Sequence, residues 1–188
     1  MKCINFDRAF ERYMAGWMKE NSEKYKDDMD VIEDMMPDVY LEFLQKPADF
    51  LDGVAPQNYF EQFDDADMLV GWLCDYIAQG VPVPDLLLER ITSLGESAEK
   101  SLLALLDRTD LPEETEMTVV SLLREMESQA PMQRYIDFIA SLEEPSDKGD
   151  LCAEALLTGK PAKDAQGNTI AVFAMPPNEA AVVLRVQE

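Results

Sequence analysis

The chain has 188 residues and a formal net charge of −22, from 16 Lys+Arg against 38 Asp+Glu, with no His. That acidity argues against direct electrostatic binding to nucleic acid or to an anionic membrane. The lack of His removes the commonest metal ligand and the usual general base near neutral pH. At 47 % hydrophobic and 9 % aromatic residues, the composition can build a core and is unlike that of a disordered chain.

Almost everything up to residue 158 reads at helical period. Phe6, Phe10, Tyr13, Met14 and Trp17 form one apolar stripe, predicting a first helix that frays through NSEKYKDD. From Met29 to Phe63 the pattern is choppier. Pro37, Pro47 and Pro56 each suit the first turn of a short helix, and Gly53 suits a stop. Asp64 or Asp65 is then placed to cap a stronger helix bearing Leu69, Trp72, Leu73, Tyr76 and Ile77, which ends at Gly80. The stiff VPVP of residues 81–84 is the best sub-domain boundary.

Beyond it the periodicity becomes regular. Successive helices are predicted around Leu87, Leu88, Ile91 and Leu94, stopping at Gly95; around Ala98, Leu102, Leu105 and Leu106; and around Val119, Leu122, Leu123 and Met126. Asp110 with Glu113 resembles a capping box. A fourth helix begins near Pro131 with Tyr135, Ile136 and Ile139, and a fifth follows Pro145 and Ser146 with Leu151, Ala155 and Leu156. Leu87, Ile91, Leu94, Ala98 and Leu106 recur in class 32 positions later as Val119, Leu123, Met126, Ala130 and Phe138. A two-helix unit cannot hide its apolar face alone, so such units stack. After Gly159, Thr169–Met175 and Val182–Val186 read as a β-hairpin, with a helix from Glu179 to Arg185 as the competing assignment.

Residues 1–80 carry 7 basic and 18 acidic side chains, and residues 81–188 carry 9 and 20, so each part is −11. This evenness fits a solvated acidic surface; a DNA-mimicking face aimed at a nucleic-acid-binding protein is the sharper alternative. The start has no apolar stretch of signal-peptide type, and the longest apolar run is Ile170 to Met175. Those features predict a soluble, cytoplasmic protein. Cys3, Cys74 and Cys152 are widely spaced, which suggests neither a zinc site nor a disulfide framework. Cys74 and Cys152 fall on apolar helical patterns and are expected as buried thiols.

The acidic clusters at Asp27-Asp28-Asp30, Asp64-Asp65-Asp67 and Glu113-Glu114-Glu116 sit at predicted helix starts, where they favour the positive end of the macrodipole. No calcium loop, phosphate-binding glycine loop or SxxK or GxSxG motif occurs. The sequence therefore yields no catalytic, cofactor-binding or metal-ligating residue, and predicts a non-enzyme. Trp17, Trp72, Tyr76 and the Tyr59-Phe60-Phe63 group lie on helical stripes and read as core anchors. Met29, Met35 and Met36 lie where the pattern is poorest and read as gap-fillers, with an adaptable partner groove as the alternative.

The segment ITSLGESAEKSLLALLD, residues 91–107, resembles the HEAT-like repeats of α-solenoid proteins through Leu94, Gly95, Ala98, Leu102, Leu105 and Asp107. The resemblance extends over residues 84–158, but the second unit has Met126-Glu127 in place of LG and a Pro at 131. It implies a scaffold for protein contacts. The run FLQKPADFLDGVAPQNYF, residues 43–60, is similar in spacing to the WLxxPxxxLxGxxPxxLL run of MbcA/ParS-type toxin-binding antitoxin domains, without an accompanying basic helix-turn-helix. The expected architecture is mainly α: an irregular N-terminal helical subdomain (1–80), a short HEAT-like α–α superhelix (84–158) and a C-terminal β-hairpin cap (160–188). The expected role is a non-catalytic protein–protein interaction or scaffold module whose partner is another protein. An acidic inhibitor or antitoxin-like DNA mimic is the alternative.

Overall fold

A computed structural model describes residues 3–21, 29–142, 144–158, 162–163, 169–173 and 182–185. The chain is mainly helical and divides into two compact units, Met1–Ile91 and Thr92–Glu188.

In the first unit, α1 (Phe6–Asn21) is capped by Asn5, whose side-chain oxygen accepts from the Arg8 N–H at 2.8 Å. Residues 22–28, over which fraying was expected, lie outside the described residues. Helix α2 (Met29–Gln45) packs on α1 and contains Pro37 in its interior. Of the three prolines expected in first turns, only Pro56 opens one, the single 3-10 turn Pro56–Asn58. Pro37 is tolerated mid-helix because Val39 and Phe43 on the same helix are 2 % and 4 % exposed, and that burial outweighs one missing backbone hydrogen bond. Pro47 precedes a bridge between Ala48 and Val54 that encloses the 3-10 turn Asp49–Leu51. The bridge closes through left-handed Asp52 (φ 54°) and Gly53 (φ 84°), and the Gly53 N–H donates to the Ala48 carbonyl.

Helix α3 (Ala66–Ala78) is capped by Asp65, which accepts from the Met68 N–H at 3.0 Å. It ends in a Schellman motif, in which the N–H groups of Gly80 and Val81 donate to the carbonyls of Ile77 and Tyr76. Leu69, Leu73 and Tyr76 are fully buried. The Tyr76 hydroxyl donates to the Ile4 carbonyl (3.0 Å) and accepts from the Ile4 N–H (3.1 Å), tying the segment before α1 to α3. Helix α4 (Asp85–Ser93) begins directly after VPVP, and the division between the units falls within it.

In the second unit, α5 (Glu96–Leu106) packs on α6 (Glu113–Glu125), and α8 (Asp147–Thr158) packs on both α6 and α7 (Met132–Ser141). Ala98, Leu102, Val119, Val120, Leu123, Tyr135, Cys152 and Ala155 form its core. The capping box expected at Asp110 and Glu113 does not form. Pro112 is the α6 cap residue, and Asp110 is instead held by both guanidinium contacts of Arg108, at 3.1 and 3.0 Å. Ser146 does cap α8, accepting from the Gly149 N–H. Ala130, expected to match Ala98 at the 32-residue offset, is exposed, and Ser128 is buried in its neighbourhood instead. The reason is the end of α6, where Glu127 takes a φ of 54° and the Ser128 N–H donates to the Leu123 carbonyl. Gly95, the position 32 residues earlier, also has a positive φ, at 58°.

Within 160–188, expected as a β-hairpin, only backbone segments are described: β1 (Ala162–Lys163), β2 (Thr169–Phe173) and β3 (Val182–Arg185), paired antiparallel in the order β1-β2-β3. The turn expected between β2 and β3 lies outside the described residues, and the capping hairpin stays an expectation.

Removing the Tyr76 hydroxyl in Tyr76→Phe leaves both Ile4 backbone groups unpaired and should cost about 1–3 kcal/mol in urea unfolding. Burial raises the Tyr76 pKa to about 12 from 10, so its contribution is intact below pH 10 and is lost as pH rises through about 12. The wild type should therefore lose stability over that window more steeply than Tyr76→Phe. Glu127→Gly relieves a side chain held at positive φ and should raise stability by about 0.5–1 kcal/mol, read as an upward shift in Tm.

Candidate functional site

The large apolar side chains exposed among the described residues cluster on one stretch of the first unit: Met36 (36 %), Tyr40 (42 %), Leu41 (52 %) and Phe50 (45 %). Met36 and Tyr40 are four residues apart on α2 and share a face. These exposed rings are the outer members of an aromatic array. Tyr40 stands edge-on to Phe10 with centroids 5.0 Å apart. Phe50 meets Phe6 at 6.2 Å and stacks on Phe43 at 6.5 Å. Farther in, Phe6 and Phe60 lie 5.7 Å apart, and Phe60 is 1 % exposed. The array explains why the exposed rings hold their positions, since paired aromatics restrain one another beyond simple burial.

Tyr40 also lines a cleft of about 240 Å³ between the start of α1 and the start of α4, together with Phe6, Asp7, Pro84, Asp85 and Leu86. Asp7 and Asp85 sit in first helical turns, where the macrodipole favours them. Partial burial raises the Tyr40 pKa, and the charges of Asp85, Asp7 and Glu89 push it in the same direction. The cleft is thus an aromatic surface under a negative field. Arg90 on α4 is committed elsewhere: it pairs with Asp64, and its Nε donates to the Phe63 carbonyl at 3.0 Å.

The second unit holds two polar features. A groove of about 410 Å³ is lined by Thr92, Ser93, Gly95, Glu96, Glu99, Glu125 and Met126. Glu96 accepts from Lys100 at 2.6 Å and Glu99 accepts from Ser128. The Lys100 partnership lowers the Glu96 pKa, the opposite of what a general acid at neutral pH needs. Between α6, α7 and α8, Lys148 and Glu116 pair at 2.6 Å while only 15 % and 20 % exposed, and the Lys148 ammonium lies 4.1 Å from the Phe138 ring centroid. Close by, burial raises the Cys152 thiol to about 11 and pushes the Tyr135 hydroxyl up as well. The Tyr135 hydroxyl has no hydrogen-bond partner among the described residues.

Of the acidic clusters, Asp65 caps α3, Asp64 pairs with Arg90, and Glu116 pairs with Lys148; the side chains of Asp27, Asp28 and Asp30 lie outside the described ones. No group of His, Cys, Asp or Glu among the described residues could hold a metal ion. Cys3 and Cys152 are buried, but Cys74 is only half-buried, against expectation. No helix of the described residues is long and apolar enough to cross a membrane. Tyr76 and Phe60 are core anchors as expected, whereas Trp17, Trp72, Tyr59 and Phe63 are half-buried. Helical periodicity gives no sign of the exposure of Tyr40 and Leu41. No protein-family model, curated protein or solved structure matches this chain.

The Lys148–Glu116 pair allows a direct test of its structural weight. Glu116→Gln strands a mostly buried ammonium and should destabilise by about 1–2 kcal/mol. Adding Lys148→Met should return part of that loss, so a double-mutant cycle read by chemical denaturation gives a favourable coupling.

Proposed function

We propose that this chain is a non-catalytic protein–protein interaction module of the cytoplasm, with residues 84–158 forming a short HEAT-like α–α superhelix and 160–188 a capping β-hairpin. The observation that carries the interaction reading is the exposure of Met36, Tyr40, Leu41 and Phe50 on a chain of net charge −22. Large apolar side chains left exposed close together on an otherwise strongly charged chain mark a contact region, because leaving them in water is unfavourable and a partner removes that cost.

The superhelix reading is supported within the second unit by how side chains join the helices. Glu116 and Lys148 are 32 residues apart, the offset of the internal repeat, and link α6 to α8. Arg124 and Glu154 join the same two helices across 30 residues. Arg134 at α7 reaches Asp107 at the end of α5, at 3.2 Å. Contacts at one-unit separation are what stacked hairpins produce.

A non-catalytic role is supported by the direction of the carboxylate shifts, since Glu96 and Asp110 both move down through their Lys100 and Arg108 partners. The alternative, an acidic nucleic-acid mimic, draws on the net charge but gives no role to Leu41 or Phe50. Photo-crosslinking separates the two. A photoreactive residue placed at Leu41 in the source cell should give discrete protein adducts, while the same residue at exposed Ser141 should not. Adducts at neither position, or equally at both, would count against the module reading.

A further inference from the structure

Resting on that reading, we propose that the occupant of this surface is a basic amphipathic segment of another protein. One Lys or Arg side chain of the segment enters the cleft between Asp7 and Asp85 against the Tyr40 ring, and its apolar face covers Met36 and Phe50. The cleft volume of about 240 Å³ lies below the roughly 300–1,000 Å³ of small-molecule sites and suits one long side chain. Its walls supply what a cation needs: two exposed carboxylates and an aromatic face, set on apolar Phe6, Pro84 and Leu86 that keep the local dielectric low.

The same chemistry already operates nearby. Lys46 Nζ lies 5.3 Å from the Tyr13 ring centroid and 3.8 Å from a Glu42 carboxylate oxygen. The apolar surface is continuous with the cleft, because Tyr40 and Phe6 line it while Met36 lies one turn from Tyr40 and Phe50 packs on Phe6. Charge decides among occupants. A second copy would bring another −22 to the contact, and an acidic partner would meet Asp7, Asp85 and Glu89 head-on.

The test uses the full-length chain and three labelled peptides of roughly 18 residues. One is an amphipathic helix with Lys and Arg opposite Leu and Phe, the second has the same composition scrambled, and the third replaces the basic residues by Glu. Fluorescence anisotropy should show that the basic amphipathic peptide binds in the micromolar range and weakens as salt rises, that the scrambled one binds at least about tenfold less tightly, and that the acidic one does not bind. Asp7→Asn with Asp85→Asn should weaken binding about tenfold. The charge-matched control, Asp137→Asn with Glu144→Gln at exposed positions of the second unit, should change it less than twofold.

Tyr40→Phe keeps the aromatic face and should bind as wild type, while Tyr40→Leu keeps bulk and should bind more weakly, which separates ring electrostatics from packing. Circular dichroism confirms that each variant is folded. If the asparagine pair unfolds the chain, the Phe and Leu variants of Tyr40 carry the test. Equal binding of the scrambled peptide, or equal losses from the control pair, would mean diffuse attraction to the acidic chain and overturn the proposal. Self-association of the chain that Tyr40→Leu abolishes would name a second copy as occupant and overturn it as well. Crosslinks at Leu41 without binding of the basic peptide would overturn the basic-partner inference while leaving the interaction module standing.

Discussion

The hydroxyl of Tyr76 fixes the geometry on which the first unit depends. Buried in α3, it satisfies both backbone groups of Ile4, one residue before the Asn5 that caps α1. Pinning that point sets where Phe6 enters the aromatic array, and Phe6 in turn contacts Phe50, Tyr59 and Phe60. The exposed face of α2 and the cleft beside Tyr40 are downstream of this one polar anchor in an apolar setting. A buried hydroxyl with two partners is specific in a way that apolar contacts are not, because any slip of the chain would leave three polar groups unpaired.

The second unit solves the same problem by other means. Its helices are short, so their stability comes from the faces they bury more than from propensity. Leu102, Val119 and Leu123 are almost completely hidden, and the polar links between helices run along the margins of that core. Lys148 lies mostly inside, between a carboxylate and the Phe138 ring. Such a pair contributes less to net stability than to register, since α8 can seat its lysine in few other places.

The helices after VPVP could be read from residues because two signals agree there. Leu87 and Ile91, Val119 and Leu123, and Ile136 and Ile139 keep helical spacing, and Gly95 and Ser146 mark ends that the chain does use. Where a local rule met a tertiary demand, the demand won. Pro37 looked like a helix start, yet burial of Val39 and Phe43 carries α2 through it. Asp110 had capping chemistry, but Arg108 two residues away holds its carboxylate. Position 127 lacks glycine and still takes a positive φ, as Gly95 does. The candidate contact surface was barely legible, because helical periodicity says which residues share a face but not which faces remain uncovered. Tyr40 and Leu41 carry the same pattern whether a neighbour covers them or water does.

Cys152 has a chemical consequence of its own. A thiol raised to about 11 by burial is thiolate in only about one molecule in ten thousand at pH 7. Alkylating reagents and mild oxidants act on the thiolate, and Cys152 is 1 % exposed, so its sulfur is protected twice over, by access and by protonation. Cys74, only half-buried, is the more accessible position for such reagents. Slow modification at 152 would report opening of the helix layer around α8, making this cysteine a built-in gauge of local unfolding.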